Sequence, residues 1–223
     1  SEPDLTLCAF DMVYNWPAMF LFEEVVKGKK TADKLADLIT NQQRKFPHDT
    51  YFMNHVTNHD RNTWDGTEFE RLGAGVEAFV ALTYVMPGVP LIYTGQEVGL
   101  QDRIPFFTKY GGYKQEKNNT YYFYAKLNEL KHTQPALLAG AVGGEWKVYD
   151  TTENSKVLLA SRALSGKEVI YLGNLSDQKV FFDVKSALPQ GEFVEWMTGT
   201  EVVFSDSASY VLNPWQYGVY VRK

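Results

Sequence analysis

Apolar and polar positions along the chain follow two different periods, and the change from one to the other divides it. TADKLADLITNQQRKF places Leu35, Leu38 and Ile39 on one face at helical spacing, which predicts a helix opening at Thr31. TEFERLGAGVEAFVALTYVM carries Leu72, Val76, Phe79, Val80 and Tyr84 as an apolar stripe that stops at Pro87-Gly88, and Thr67 and Glu70 have the spacing of a capping box. Short strand-like runs stand around these helices: CAFDMVYNW before the first, YFMNHVTN between them, VPLIYT after the second. VPLIYT is apolar almost throughout, as a parallel strand covered on both faces is. Strand, helix, strand, helix, strand predicts parallel α/β units.

A loop rich in Gly and Lys (TKYGGYKQEKNN) and a further helix over TYYFYAKLNELKHT lead to a change of character near residue 135. Beyond it, KVLLASRAL, KEVIYLGNL, KVFFDV, EFVEWM, EVVFS and YGVYVRK read as short strands parted by turns, at the spacing of an antiparallel sandwich. The expected organisation is α/β over 1–135 and an antiparallel β-sandwich domain over 136–223.

Composition narrows what such a chain can do. With 44% apolar and 15% aromatic residues it is a folded globular chain. A net charge of −5 and no basic stripe argue against a nucleic-acid partner. No apolar run approaches the ~20 residues of a transmembrane helix. Cys8 stands alone, so no internal disulfide forms, and the compartment stays open. SEPDLTLCAFDMVYNW has no initiator Met, basic n-region or apolar h-region; it reads as neither a signal peptide nor a natural start, and a piece of a longer chain is expected.

Candidate chemistry sits at Asn58-His59-Asp60, directly after the strand-like YFMNHVT. Three hydrogen-bonding side chains there build a poor core and a good rim, and barrels of parallel α/β units collect their chemistry at the C-terminal ends of strands. Two other readings stay open on the residues alone. Asp60 or Asn62 caps a turn while His59 is a satisfied, partly buried histidine. Alternatively His55 and His59, four apart with Asp60 adjacent, hold a metal, although no further His or Cys group has ligand spacing. A second polar group, Gly95-Gln96-Glu97, ends the run GVPLIYTGQEVGL.

Strand-NHD, a capped helix, PGVPLIYTGQE and a C-terminal β-domain, in that order, resemble the α-amylase family of glycoside hydrolases. The resemblance implies the C-terminal portion of a (β/α)8 TIM barrel followed by the β-sandwich, with NHD closing the seventh strand, GVPLIYTGQE the eighth, AFDMVYNWP in the sixth-strand region and the helix ending in QPAL as the link. By this resemblance Asp60 matches the third catalytic carboxylate, which binds sugar hydroxyls and stabilises the oxocarbenium-like transition state. His59 matches a substrate-binding histidine. Asn58 is counted with the substrate-binding residues, placed to orient Asp60, and Tyr93 and Glu97 match positions that line or buttress the barrel mouth. No metal ligand and no cofactor is implied among these residues; the resemblance leaves room for a structural calcium in a preceding part.

The implied activity is retaining hydrolysis of α-glucosidic bonds in starch or maltodextrin, with an α-glucan oligosaccharide or polysaccharide as partner. An α-glucan transglycosylase and a non-catalytic binding or partner subunit are the alternatives. The nucleophile and the acid/base are implied on strands upstream of Ser1; Glu2 is the one candidate for the acid, yet SEPDL looks like the loop beyond it. The missing N-terminal half, or self-association through exposed barrel edges, is therefore an expected further partner. PFFTKYGGYKQEKNN departs from the acidic, tryptophan-bearing run of many relatives, which leaves linkage and chain length open. Trp64 is either a platform for a sugar ring or packed on its own helix. Trp146, Trp196 and Trp215 read as core or turn plugs, and Asn118 and Asn174 fit the glycosylation sequon. Four His and one Cys support no nucleophilic triad.

Overall fold

A computed structural model describes residues 3–205 and 207–223; Glu2 lies outside them. The first part opens with helix α1 (Pro3–Cys8) and strand β1 (Met12–Tyr14). The expected strand CAFDMVYNW is thus only three residues long, because helix claims both of its flanks. Helix α2 (Trp16–Val26) was not legible in the periodicity, since WPAMFLFEEVV is apolar nearly all round. Its start is written in the sequence nonetheless: Asn15 caps it, accepting from the Ala18 amide at 3.4 Å, and Pro17 sits in the first turn. Helix α3 (Ala32–Lys45) opens after Thr31 as expected and buries Leu35 and Ile39.

Strand β2 (Tyr51–Asn54) pairs in parallel with β1, Phe52 opposite Val13. Helices α4 (His59–Asp65), α5 (Glu68–Leu72) and α6 (Val76–Val85) follow, the last two joined through a short 3-10 turn at Gly73–Gly75. The capping box is complete: the Glu70 amide donates to Thr67 Oγ1 at 3.2 Å and the Thr67 amide to Glu70 Oε2 at 2.7 Å. Thr67→Ala is expected to cost about 1 kcal/mol in urea unfolding, with no change in slope. Leu72, Val76, Phe79, Val80 and Tyr84 are all buried.

Strand β3 (Val89–Pro90) lies parallel to β2, giving the order β1-β2-β3. Only these two residues of VPLIYT enter the ladder; the Leu91 amide adds one bond to the Asn54 carbonyl at 2.8 Å, and Leu91, Ile92 and Tyr93 are half-buried. The approach of β3 to β2 demands Gly88, whose φ is +120° and whose missing Cβ would stand 2.2 Å from the Phe52 carbonyl oxygen. Helix α7 (Asn119–Thr133) completes this part, capped by Asn118.

Eight strands follow: β4 (Glu145–Val148), β5 (Val157–Leu164), β6 (Lys167–Asn174), β7 (Val180–Asp183), β8 (Glu192–Glu195), β9 (Glu201–Val203), β10 (Ser209–Leu212) and β11 (Tyr217–Arg222). Six of them form an antiparallel sheet, β4-β5-β6-β11-β8-β9, faced by the pair β7–β10. The short strands β4 and β10 were not read in the sequence. In β5, Val157 and Leu159 pack toward Val180, Phe182 and Leu212, whereas Leu158 and Ala160 join Phe79, Val80 and Leu127 on the opposite face. Both faces of the large sheet are therefore covered, which is why its central strands are continuously apolar. Buried polar groups tie the two parts as well: Tyr171 Oη donates to the Ala78 carbonyl at 2.9 Å, and Arg162 donates to the carbonyls of Gly144 (2.6 Å), Leu138 (2.9 Å) and Val85 (3.3 Å).

Candidate functional site

The C-terminal ends of β1 and β2 are fixed by a buried amide network. Asn15 Nδ2 donates to Asn54 Oδ1 at 2.9 Å, Gln42 Nε2 donates to Asn15 Oδ1 at 2.7 Å, and Asn54 Nδ2 donates to the Pro87 carbonyl at 3.0 Å. Beyond Asn54 the ladder stops, and His55, Val56 and Thr57 run buried to the next helix. Asn58-His59-Asp60 accordingly does not prolong a strand but starts α4. Asn58 is 1% exposed and accepts the Arg61 amide on Oδ1 at 2.9 Å, while its Nδ2 has no partner among the described residues. It caps the helix; it does not hold the Asp60 carboxylate, because the amide hydrogens that would do so are unpaired.

His59 and Asp60, on the first turn of α4, reach solvent. Their side chains are 51% and 47% exposed and stand 3.5 Å apart, Nε2 to Oδ1. Because β2 and β3 are parallel, the segments leaving them, with Asp60 and Glu97, lie at the same end of the sheet. Glu97 belongs to a 3-10 turn (Gln96–Val98), where its Oε1 accepts the Tyr113 hydroxyl at 2.9 Å. Gln96 beside it is buried, donating to Tyr124 Oη at 2.6 Å and accepting the Tyr93 amide at 2.9 Å, so this corner is built as a buttress.

Beneath α4 lies a charge cluster that the sequence did not disclose. Glu23 Oε1, from α2, accepts Arg61 Nη2 at 2.6 Å and Arg71 Nη1 at 2.7 Å; Arg71 also donates to the carbonyls of Val56 (2.9 Å) and Gly66 (2.9 Å). Burial pushes the Glu23 carboxyl upward, but its bonds to Arg71 and Arg61 outweigh this and hold it below the ordinary value. Arg61 further pairs with Asp65 at 2.7 Å and lies over the Phe20 ring at 5.1 Å. The i,i+4 spacings of Arg61 with Asp65 and of Glu23 with Lys27 (3.3 Å) are local signals of this cluster; the pairing of Glu23 with Arg61 and Arg71 is remote in sequence and gives none.

His55 and His59 face different surroundings. His55 is 1% exposed, edge-on to Tyr14 and Trp16 with ring centroids 5.5 and 5.3 Å away. Burial, aided by the Arg71 and Arg61 charges against the Met53 carbonyl, lowers its pKa to about 4, so the neutral ring donates from Nδ1 to that carbonyl at 3.1 Å. Among the described residues no group of three or more His, Cys, Asp or Glu side chains is arranged to hold a metal ion. Asn174 is fully buried, with Nδ2 donating to backbone carbonyls that include Gln178 (2.6 Å) and Asn213 (2.8 Å), so that sequon offers no amide for modification in the folded chain. No helix of the described residues is long and apolar enough to cross a membrane.

No family model matches the chain. Over 139 residues, 62% of its length, it is 27% identical to the α-amylase MalA of Haloarcula japonica, of which that match covers 20%. Over this stretch the chain is similar to a member of the α-amylase family. The solved structure of the maltogenic α-amylase AmyB from Thermotoga neapolitana superposes with a TM-score of 0.83 at 17% identity, covering 99% of this chain and 52% of that one. The γ-cyclodextrin glucanotransferase of alkalophilic Bacillus clarkii superposes at 0.72 with 18% identity, over 99% of this chain and 34% of that one. The fold is thus that of the family's C-terminal portion: the end of a (β/α)8 barrel carrying three parallel strands, then an antiparallel β-domain. Enzymes of this family are glycoside hydrolases and transglycosylases. The chain spans about half the length of AmyB, and the stretch matched to MalA spans a fifth of that protein.

Proposed function

We propose that Asp60 stabilises the positive charge developing at an anomeric carbon, with His59 hydrogen-bonding the same sugar, in a protein that hydrolyses α-glucosidic bonds of starch or maltodextrin with retention. The observation that supports this most is the solvent-reaching His59–Asp60 pair at the C-terminal end of a parallel sheet in a relative of the α-amylases. A carboxylate placed there accepts hydrogen bonds from ring hydroxyls, and these bonds strengthen as the ring becomes oxocarbenium-like, a differential worth several kcal/mol. Asn58 contributes through the helix start, which fixes where His59 and Asp60 emerge. Asp60 is neither nucleophile nor proton donor in this reading. Those two carboxylates, about 5 Å apart in retaining enzymes, belong to polypeptide outside residues 1–223.

The likeness to a glucanotransferase favours a second reading, in which a sugar hydroxyl replaces water as acceptor and Asp60 keeps its role. In either case β1 and β3 are the edges of the three-stranded sheet, and Phe10 and Met12 at the β1 edge are exposed; the preceding half of the barrel, or another copy, would cover them. The test is to incubate the 223-residue polypeptide with starch and maltoheptaose, alone and with the separately expressed preceding half. No bond cleavage alone and cleavage on mixing is expected, and the ratio of hydrolysed to transferred or cyclic products separates the two readings. Robust cleavage by the 223 residues alone would show the catalytic carboxylates to be misassigned. Sugar binding with no cleavage on mixing would favour a binding subunit.

A further inference from the structure

Trp64, Phe106 and Phe107 are exposed aromatic side chains that lie together beside His59. Trp64 is 58% and Phe107 83% exposed, against a general tendency to hide such surface. Trp64 stands four residues after Asp60 on α4, so the two project from one side of the helix, one turn apart. The Phe106 ring lies 6.0 Å from the His59 ring, 5.8 Å from the Trp64 indole and 4.9 Å from the Phe107 ring, and Phe107 is 6.2 Å from Trp64. The aromatic surface therefore runs outward from the His59–Asp60 pair without a break.

The surface is held rigidly. Asn62, buried on the opposite side of α4, accepts the Ile104 amide on Oδ1 at 2.7 Å, and Thr63 Oγ1 donates to the Ile104 carbonyl at 2.6 Å. Arg103 next to them forks onto Glu70, Nε to Oε2 at 2.9 Å and Nη2 to Oε1 at 2.8 Å. The loop bearing Phe106 and Phe107 is thus clamped to the helix bearing Asp60 and to the capping box of α5. Held outward, the rings form a preorganised binding surface, whose ordering cost is met in the free protein.

We propose that Trp64, Phe106 and Phe107 form a rigid platform that stacks a second pyranose ring of an α-glucan chain next to the one held by His59 and Asp60. The proposal rests on the function proposed above and adds to it a preference for chains over disaccharides. The occupant follows from position: a pyranose presents an apolar C–H face and a polar rim, and here an apolar ring surface adjoins a carboxylate and an imidazole. The centroid spacings match the scale of one sugar ring, and the gain from aromatic stacking is the same kind that sequence-tolerant strand binders draw from stacked bases.

Titration of the 223-residue polypeptide with maltoheptaose and with maltose, followed by calorimetry and by the 19F resonance of 5-fluorotryptophan at position 64, tests this. Maltoheptaose is expected to bind at least tenfold more tightly than maltose and to shift the Trp64 resonance. Trp64→Ala and Phe107→Ala should each weaken maltoheptaose about tenfold while moving maltose less than threefold, and Trp64→Phe should restore most of the loss. Far-UV circular dichroism of the variants is expected to match the parent, because these side chains are exposed. Unchanged maltoheptaose affinity in the aromatic variants, with loss in His59→Ala, would overturn the platform and leave the proposed function standing. No saccharide binding at all would overturn both.

Discussion

Asp60→Asn is expected to lower kcat roughly a thousandfold, about 4 kcal/mol of transition-state stabilisation, in the assembled enzyme, while KM for a long α-glucan changes by less than a few-fold. Asparagine has nearly the shape of aspartate and still accepts a hydrogen bond, so ground-state binding survives. What it lacks is the charge, whose effect grows only as the anomeric carbon becomes cationic. Because Asp60 reaches solvent at the first turn of a helix capped by Asn58 rather than by itself, the variant should keep its stability. A fall in kcat with an unchanged urea midpoint is therefore the expected pair of results. Equal losses in kcat and stability would mean that Asp60 is structural.

Glu23→Ala is expected to be the most damaging single change near the site, costing about 3–5 kcal/mol. It leaves Arg61 and Arg71, which are 14% and 5% exposed, without the carboxylate they share. The buried Arg71 and half-buried Arg61 guanidiniums repel each other, and each loses a charge-assisted bond shorter than 2.8 Å. Asp65→Asn, which touches the same Arg61 from a half-exposed position, should cost less than 1 kcal/mol. The pH dependence has the same origin. The Glu23 carboxyl is held below its ordinary value when folded, so in acid the unfolded chain takes up its proton first. Its contribution is present in full above the unfolded pKa of about 4.5 and is lost as pH falls through the folded value. Urea midpoints of the parent and of Glu23→Ala should therefore converge in acid; parallel curves down to pH 3 would show that the carboxylate carries none of the stability.

Legibility of this molecule followed the range of the forces involved. Helix α3, the Thr67–Glu70 capping box and the stripe from Leu72 to Tyr84 were readable because caps and helical periodicity are local. Six of the eight β-strands were readable because turn residues bracket apolar runs. Helix α2 was not, since it is buried on most sides and so carries no periodic contrast; Asn15 and Pro17 marked its start. The three parallel strands proved shorter than their apolar runs; beyond the two-residue ladder of β3, Ile92 is apolar because it packs against the core. At the site, the exposed pair His59–Asp60 was legible as a motif, but its setting was not. The ladder ends at Asn54, Asn58 caps a helix, and the Glu23 cluster and the Trp64–Phe106 contact join residues 38 to 48 and 42 apart, where sequence carries no periodic trace.

The role assigned to Asp60 is tested most directly by comparing a cationic, oxocarbenium-like amino-sugar with a neutral maltooligosaccharide of equal length in calorimetric titrations of parent and Asp60→Asn. The account predicts a loss of about a hundredfold or more for the cationic ligand and less than about threefold for the neutral one. Equal changes for both ligands, or none for either, would contradict it.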